Sequence, residues 1–185
     1  MIDDADRLYE RLLVVRCQAG DESAFAQLVA QYQPRLRYYL RKVLYGVGEA
    51  DDVLQEVWLD VFRSVARLKD VGAFRAWLYQ VARARALKVF RKRRLILESF
   101  EVNELAEAGQ GIENFAAEDA QRVHAALDKL AAAHREVLVL RYIEDMSYEE
   151  IAGVVDCQVG TVRSRLHYAK RALGKELEKE HLHER

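Results

Sequence analysis

The sequence of 185 residues contains little of what ends or bends a helix, because it has a single proline, Pro34, and only nine glycines. Proline and glycine supply most tight turns, so their scarcity favours helices joined by short connections. Apolar residues make up 51% of the chain and charged residues 32%, which is typical of a globular protein. The composition therefore predicts an all-α protein, built as one ordinary domain or as two small ones.

Cysteine is also scarce, since Cys17 and Cys157 are the only two and lie far apart in the chain. Neither has a second Cys or a His at zinc-ligand spacing, so we expect both to act as small buried residues. Gly109-x-Gly111 follows no predicted strand and does not indicate a nucleotide site. With no nucleophile, general base or metal-ligand set in the pattern, an enzyme is the least favoured reading, and we expect no cofactor.

Long apolar runs are missing as well. Runs such as the four residues at 137–140 are interrupted within a few positions by Arg or Glu, far short of the roughly 20 residues that cross a bilayer. The first six residues carry only acidic charges, whereas an export signal begins with basic residues that are followed by an apolar core. The sequence predicts a cytoplasmic protein without membrane insertion.

The chain has almost no excess of charge of either sign, since its net charge is -1, but acidic and basic residues are separated along it. The stretch from Asp60 to Arg94 contains eleven Lys and Arg residues and two acids, a local charge of +9. Seven acids and no basic residue lie between Glu98 and Asp119, a local charge of -7. Screening acts over roughly 10 Å, so a docking partner responds to the local charge rather than to the total. We interpret 95–117 as a flexible acidic linker between two helical domains, 1–94 and 118–180.

The N-terminal domain begins with a helix whose apolar positions recur from Phe25 onward, and Pro34 is expected to kink or divide it. A second helix starts near Glu49. Its apolar stripe, which we expect to be buried, is Leu54, Val57, Trp58, Val61, Phe62, Val65 and Leu68.

The other face of this second helix is acidic. Asp52, Glu56 and Asp60 stand at positions i, i+4 and i+8, beside Asp51 and Gln55. Like charges at this spacing repel by a few tenths of a kcal/mol per pair. The pattern fits either a solvated face or a surface for a basic partner, and spacing alone does not decide between them.

A third helix, beginning near Ala73, becomes basic almost all round in its second half. Trp77, Tyr79 and Phe90 interleave with these charges, a combination typical of proteins that bind single-stranded nucleic acid. The alternatives are a solvated helix end for the basic run and a core position for Trp77.

The C-terminal domain has the pattern of a helix-turn-helix. Ser147 and Glu150 form a capping box that opens a short helix. A break at 156–159 separates it from a last helix, expected to run from Gly160 or Thr161 to about Leu177. That last helix has an apolar inner stripe and a basic outer face, as a recognition helix in the major groove requires. Before it, the helix from 135 to 144 is apolar on more than one side, which fits burial or a partner groove.

Six motifs are specific in their order and spacing. They are Gly20-Asp21-x-x-Ala24-Phe25-x-x-Leu28, Asp51-Asp52-x-x-Gln55-Glu56-x-Trp58, Phe74-Arg75-Ala76-Trp77-Leu78-Tyr79, Arg135-Glu136-Val137-Leu138-x-Leu140-Arg141-Tyr142, Met146-Ser147-Tyr148-x-Glu150-Ile151-Ala152 and Gly160-Thr161-Val162-x-Ser164-Arg165-Leu166. Over nearly its whole length the chain therefore resembles the extracytoplasmic-function (group four) sigma factors of bacterial RNA polymerase.

This resemblance implies an alternative sigma factor with region two at 1–94 and region four at 118–180, which directs polymerase core to specific promoters. The residues expected to dock on the β′ clamp helices of the core are Asp51, Asp52, Gln55 and Glu56. The residues expected to bind the minus-10 element as a single strand are Arg67, Lys69, Phe74, Arg75, Trp77, Tyr79, Arg83, Lys88 and Arg91. The residues expected to bind the minus-35 element in the major groove are Thr161, Arg163, Ser164, Arg165, His167, Lys170 and Arg171. The resemblance also implies that 137–143 contacts the β flap tip, that the linker runs toward the RNA exit path, and that an anti-sigma factor is a further partner.

The chain departs from the family at three positions. Ala84 stands where an Asn is common and Lys88 where an Asp is frequent, and both bear on the minus-10 preference. Ala131 stands where a Pro often opens the second helix of region four.

Two other functions are compatible with parts of the pattern. A helix-turn-helix regulator acting without polymerase core would not need the acidic helix face. A sigma-mimicking module that binds an anti-sigma factor would lose its DNA-contacting charge, yet Arg83, Arg91, Arg163 and Lys170 are present. Because its acidic and basic segments offset each other, we also expect the free protein to bind DNA poorly.

Overall fold

The computed structural model describes residues 4–45, 48–99 and 118–183, and every regular element within these ranges is helical. The α-helices are α1 (Asp4–Gln18), α2 (Glu22–Val43), α3 (Ala50–Ser64), α4 (Phe74–Ser99), α5 (Glu118–Asp128), α6 (Ala132–Leu138), α7 (Tyr148–Val155) and α8 (Val159–His183). Two 3₁₀ turns, Val65–Arg67 and Val71–Ala73, join α3 to α4, and a π-helical turn, Val139–Ile143, follows α6. The all-α fold class is confirmed.

Helix α1 was not predicted from the sequence. Its inner side buries Leu13 and Val14, while Leu8 and Leu12 remain exposed on its outer side. Because apolar residues lie on both sides, the segment shows no single stripe with a helical period.

A glycine turn explains how α1 connects to α2. Gly20 has a φ of +87°, and the amide of Asp21 donates to the carbonyl of Arg16, which together close a Schellman motif at the end of α1. Asp21 then caps α2, its Oδ1 accepting from the amides of Ser23 at 2.9 Å and Ala24 at 3.1 Å. Hydrogen bonds from Ser23 and Arg16 hold the pKa of Asp21 well below its usual value.

Pro34 does not divide α2, contrary to one of the two outcomes expected. The helix runs unbroken from Glu22 to Val43, with Tyr32 and Leu36 fully buried on either side of the exposed Pro34. Proline lacks one backbone hydrogen-bond donor, and burial of the residues on both sides of it stabilises the helix despite this loss.

The core of the N-terminal domain forms where α2, α3 and α4 meet. The predicted α3 stripe is buried at Leu54, Val57, Val61 and Val65, but the prediction was wrong for Phe62, whose side chain is 57% exposed. Position 62 lies about 100° around the helix from Val61, at the edge of the stripe, where the Phe25 ring of α2 meets the Phe62 ring at 5.2 Å but leaves much of it exposed.

The C-terminal domain contains the predicted helix-turn-helix in α7 and α8. The Ser147–Glu150 capping box is present in both directions and opens α7. Helix α8 begins at Val159 and reaches His183, so it is longer at both ends than the sequence indicated. Val162, Leu166 and Ala169 form its buried stripe, as predicted.

The segment predicted as one helix from 135 to 144 is instead α6 followed by the π-helical turn. Val137, Leu138, Val139 and Leu140 are all buried, so burial accounts for most of its apolar surface. Four successive buried residues cannot share one face of a regular helix, and the wider turn changes the directions in which they point.

Helix α4 continues to Ser99, past the expected boundary at residue 94. The predicted linker, 95–117, therefore overlaps helix at 95–99, and its remainder, 100–117, which includes Gly109 and Gly111, lies outside the described residues. Cys17 is buried as expected, whereas Cys157 is half-buried at the helix-turn-helix turn. Within the described ranges, no helix has the length and apolar character to cross a membrane.

Candidate nucleic-acid and partner interfaces

The acidic face of α3 is exposed, but it is not an isolated set of like charges. Asp51, Asp52, Gln55 and Glu56 all face solvent. Asp51 Oδ1 lies 2.9 Å from Arg37 Nε of α2 in an ion pair, and Glu56 lies 2.7 Å from Arg85 Nη1 of α4. The neighbouring helices thus offset part of the repulsion, and Asp52 and Gln55 are the members of this face best placed to meet a partner.

Two large apolar side chains extend this acidic face. Leu59 is 54% exposed and Phe62 57% exposed, and both follow Asp52 and Gln55 at helical spacing on the same side of α3. Together these four side chains form what we call the α3 surface, a mixture of acidic and apolar groups. Its apolar part is not evident from the sequence, because a helical pattern places Phe62 as readily in the core as at its edge.

The candidate minus-10 residues divide into two groups. Four of the cations are exposed: Arg67 ends the first 3₁₀ turn, Lys69 lies between the two turns, and Lys88 and Arg91 lie on α4. Trp77 is half-buried and packs against the Phe74 ring, with centroids 6.0 Å apart. In the arrangement seen here, the exposed cations are the members of this set that face solvent.

Phe74 and Tyr79 require a correction, because neither can stack on a base in this arrangement. Both are fully buried. The Phe74 ring meets Tyr32 edge-on at 5.8 Å, and the Tyr79 ring meets Tyr39 at 5.1 Å. Their spacing among basic residues reflects the buried side of α4 rather than a stacking surface.

Arg75 and Arg83 are held by the C-terminal domain. Arg75 Nη2 donates to both carboxylate oxygens of Glu150, at 2.8 and 2.9 Å, and Arg83 Nε donates to Glu136 Oε1 at 2.9 Å. Glu150 also belongs to the capping box of α7. The helix-turn-helix therefore binds directly to the helix that carries the candidate minus-10 residues.

Further polar contacts join the two domains through α2 and α4. Lys42 Nζ is 2.7 Å from Asp128 Oδ1, and both side chains are largely shielded from solvent. Gln80 Nε2 donates to the carbonyl of Gly153 at 3.1 Å. We call these interdomain contacts, made by Lys42, Arg75, Gln80 and Arg83 together with those of Glu144, the domain interface.

Glu144 is the most buried charged group of this domain interface. It accepts hydrogen bonds from the Tyr79 hydroxyl and, at 2.9 Å, pairs with Arg35 Nε. Burial raises the pKa of Glu144 above its ordinary 4.5, although Tyr79 and Arg35 act in the opposite direction. For Glu150, burial also acts to raise the pKa, but hydrogen bonds from Arg75 and from the Ser147 amide outweigh it and leave the pKa lowered.

The outer face of α8 is exposed to solvent. Arg163, Ser164, His167, Lys170 and Arg171 are exposed, and Thr161 and Arg165 are half-buried at its edges. Tyr168, which is not among the residues predicted from the sequence, is 59% exposed on the same outer side. Its position beside His167, outside the apolar stripe, was the available signal.

The segment expected to meet the β flap offers only part of its surface. Tyr142 is 58% exposed and Ile143 is 43% exposed, whereas residues 137–140 are buried. Any partner of this segment can therefore contact its last turn. Among the described residues, no group of three or more His, Cys, Asp or Glu side chains is arranged to hold a metal ion.

Comparison with known proteins matches both domains separately. The family described as "Sigma-70 region 2" matches residues 28–96, and that described as "Sigma-70, region 4" matches residues 120–173. The RNA polymerase sigma-H factor of Pseudomonas aeruginosa is 35% identical over 181 residues, covering 91% of this chain and 94% of the relative. The ECF RNA polymerase sigma-E factor of Escherichia coli K12 is 32% identical with the same coverage.

A solved structure shares the fold. The sigma factor RpoE, in complex with the anti-sigma factor NepR from Bartonella quintana, superposes with a TM-score of 0.76 at 23% identity, covering 83% of this chain and 96% of that one. At this identity the likeness shows the fold.

Proposed function

The chain belongs to the extracytoplasmic-function sigma factors of the sigma-70 family, and we propose that it docks on RNA polymerase core through the α3 surface and reads promoter DNA through both domains. In this role it is a promoter-specificity subunit with no catalytic activity of its own, working in the cytoplasm beside the polymerase. Family membership supports an anti-sigma factor as a further partner.

One observation carries this proposal: a single chain presents an exposed acidic and apolar helix face and, separately, a helix-turn-helix with a basic outer face. A regulator working without polymerase needs only the second. Asp52 and Gln55 face solvent on α3, far in sequence from Arg163 and Lys170 on α8. The acidic surface suits a basic protein partner, and the basic helix suits the major groove.

The minus-35 element is assigned to α8. Arg163, Lys170 and Arg171 supply guanidinium and ammonium groups that bind phosphate or the acceptor edges of guanine, and Ser164 can contact either base type. Tyr168 joins this set as a phosphate contact through its hydroxyl. Contacts to base edges set the sequence specificity of binding, and contacts to phosphate groups set its affinity.

The minus-10 element is assigned to α4 and to the segment before it. Arg67, Lys69, Lys88 and Arg91 are exposed and can hold the backbone of a single strand. Arg75 and Arg83 can take part only after they release Glu150 and Glu136, because both guanidinium groups are engaged by the C-terminal domain. We therefore expect the domains to separate when the protein joins polymerase and promoter.

The test is transcription with purified polymerase core. The double variant Asp52→Lys with Gln55→Lys should lose core binding at least tenfold, because two cations replace the free part of the acidic face. Binding is measured by surface-immobilised core, and promoter-dependent initiation by run-off transcription on genomic fragments. Neither side chain is buried, so the melting temperature should stay within a few degrees of wild type.

A charge-reversal control at a distant site separates docking from net charge, adding two of the three charge units that the double variant adds. Glu178→Lys reverses an exposed acid on the distal part of α8 and should leave core binding unchanged. Wild-type protein that yields no promoter-dependent transcript from any fragment would overturn the proposed function, as would a double variant that still binds core normally.

A further inference from the structure

The segment that joins α3 to α4, residues 65–73, carries two of the exposed minus-10 candidates but has little core of its own. Val65 is buried and Leu68 and Val71 are half-buried against the core, while Arg67, Lys69, Asp70 and Gly72 are exposed. Between the two 3₁₀ turns, Leu68 is extended, with φ of -68° and ψ of 112°. A short irregular segment with so little burial needs other contacts to keep one conformation.

Gln18, the last residue of α1, supplies such contacts. Its side-chain Nε2 donates to the carbonyl of Val65 at 3.1 Å and to the carbonyl of Leu68 at 2.7 Å. A primary amide has two N–H donors, so one side chain satisfies both carbonyls. These carbonyls bracket the first 3₁₀ turn, and the two bonds fix where that turn ends.

Helix α1 also approaches the second turn. Asp70 caps it by accepting from the Gly72 amide at 2.8 Å. A Cβ atom placed on Gly72 would lie 3.1 Å from the Asp70 carboxylate and 3.2 Å from Arg11 Nη2 of α1. The Arg11 distance is shorter than an ordinary van der Waals contact, so α1 lies against the second turn as well as the first.

We propose that Gln18 is a positioning residue that sets the conformation of residues 65–73 and thereby the base preference at the minus-10 element. The proposal rests on the proposed function for its consequence at DNA, but the contact itself is independent of it. Gln18 touches no DNA in this role. It acts by orienting the backbone that presents Arg67 and Lys69.

The first test needs only the free protein. Trypsin cleaves after Arg67 when the segment opens, so the rate of that cleavage reports the stability of its conformation. Gln18→Leu and Gln18→Glu keep the size of the side chain and remove both donors. Each should speed cleavage after Arg67 about tenfold, given the usual strength of two hydrogen bonds.

The second test uses holoenzyme and a promoter library with a randomised minus-10 element and one fixed minus-35 element. Transcripts are sequenced to give the preferred bases at each position. We expect wild type to select one motif and Gln18→Leu to select a broader or different motif within the positions nearest Arg67 and Lys69. The same library randomised at minus-35 should give the same motif for both proteins.

Cys17→Ala is the matched control. It removes a buried side chain next to Gln18 and loosens α1, but leaves both amide donors in place. It should neither speed cleavage after Arg67 to the same degree nor change the minus-10 motif.

The outcomes separate the two proposals. Unchanged cleavage in both Gln18 variants overturns the positioning role, whatever the protein does. Accelerated cleavage with an unchanged minus-10 motif overturns the link to base preference and leaves the sigma function standing. If Cys17→Ala shifts the motif as much as Gln18→Leu, general loosening of α1 is the cause and the proposal fails. Wild type that transcribes no library member overturns the proposed function instead.

Discussion

Individual buried polar side chains determine how the two domains of this chain meet, and Glu144 is the most completely enclosed of them. Its carboxylate has no exposure to solvent, and one oxygen, Oε1, has no hydrogen-bond partner among the described residues. A carboxylate that is buried and only partly satisfied favours its protonated form. The raised pKa of Glu144 is the consequence.

This raised pKa gives stability a definite dependence on pH. A folded-state pKa above the ordinary 4.5 means that the folded protein holds this proton more tightly than the unfolded chain. The contribution of Glu144 is therefore most favourable near or below pH 4.5 and declines as pH rises through its folded pKa. Glu144→Gln, which imitates the protonated carboxyl, should be as stable as wild type at pH 4.5 and equally or more stable at pH 7.5.

The measurement is the difference in unfolding free energy between the two proteins across this pH range, from urea titrations. Tyr79→Phe serves as the companion variant: loss of its hydrogen bond to Glu144 should cost about 1–3 kcal/mol at pH 7.5. If Glu144→Gln is less stable than wild type at pH 7.5 and the deficit shrinks at low pH, the ion pair with Arg35 outweighs burial and the pKa is lowered instead.

At the scale of single elements, local signals in the sequence were sufficient for some helices and insufficient for others. The helix-turn-helix could be predicted because its capping box and its apolar stripe lie within a few residues of each other. Helix α1 and the π-helical turn could not, since apolar residues on several sides obscure the helical period. Their conformations depend on neighbours that are distant in the chain.

The turn between α1 and α2 offers a test of one such local signal. Gly20 has a φ of +87°, and a Cβ atom added there would meet nothing within 4 Å. Gly20→Ala should therefore cost about 1–2 kcal/mol from backbone conformation alone, without any steric clash. Gly20→Asn, which tolerates the left-handed region better, should cost less.

Thermal unfolding of the two variants beside wild type measures this ordering. Gly174→Ala is the control, because Gly174 lies within α8, has no positive φ and also has open space around it. That substitution should stabilise α8 slightly, as alanine favours helix over glycine. Equal losses for Gly20→Ala and Gly20→Asn would contradict the conformational explanation.

At the scale of the whole molecule, the candidate surfaces were more predictable than the contacts between domains. Exposure of the acidic face of α3 and of the basic face of α8 follows from helical periodicity. The pairing of Arg83 with Glu136 and of Lys42 with Asp128 joins residues separated by 53 and 86 positions, and no local pattern indicates it. For the same reason the sequence placed Tyr79 among nucleic-acid residues, although its hydroxyl contacts Glu144 in the other domain.

These interdomain pairs give a physical account of why the free protein should bind DNA poorly. Lys42 and Asp128 offer the cleanest way to test it, because neither belongs to a proposed DNA or polymerase surface. Asp128→Lys places a cation against the buried Lys42, while a cation at the C-terminal end of α5 suits that helix itself. Repulsion within the domain interface should then separate the domains without unfolding either one.

We expect Asp128→Lys to increase the radius of gyration in small-angle X-ray scattering and to tighten binding of a labelled random-sequence single strand by about tenfold, as Arg75 and Arg83 become available. Glu178→Lys changes the net charge equally but lies outside the domain interface, so it corrects for non-specific attraction. Lys42→Glu combined with Asp128→Lys restores opposite charges at wild-type net charge and should recover most of the compact, weakly binding state. If Glu178→Lys tightens binding as much as Asp128→Lys, or if the double variant stays expanded, the domain interface does not restrain DNA binding.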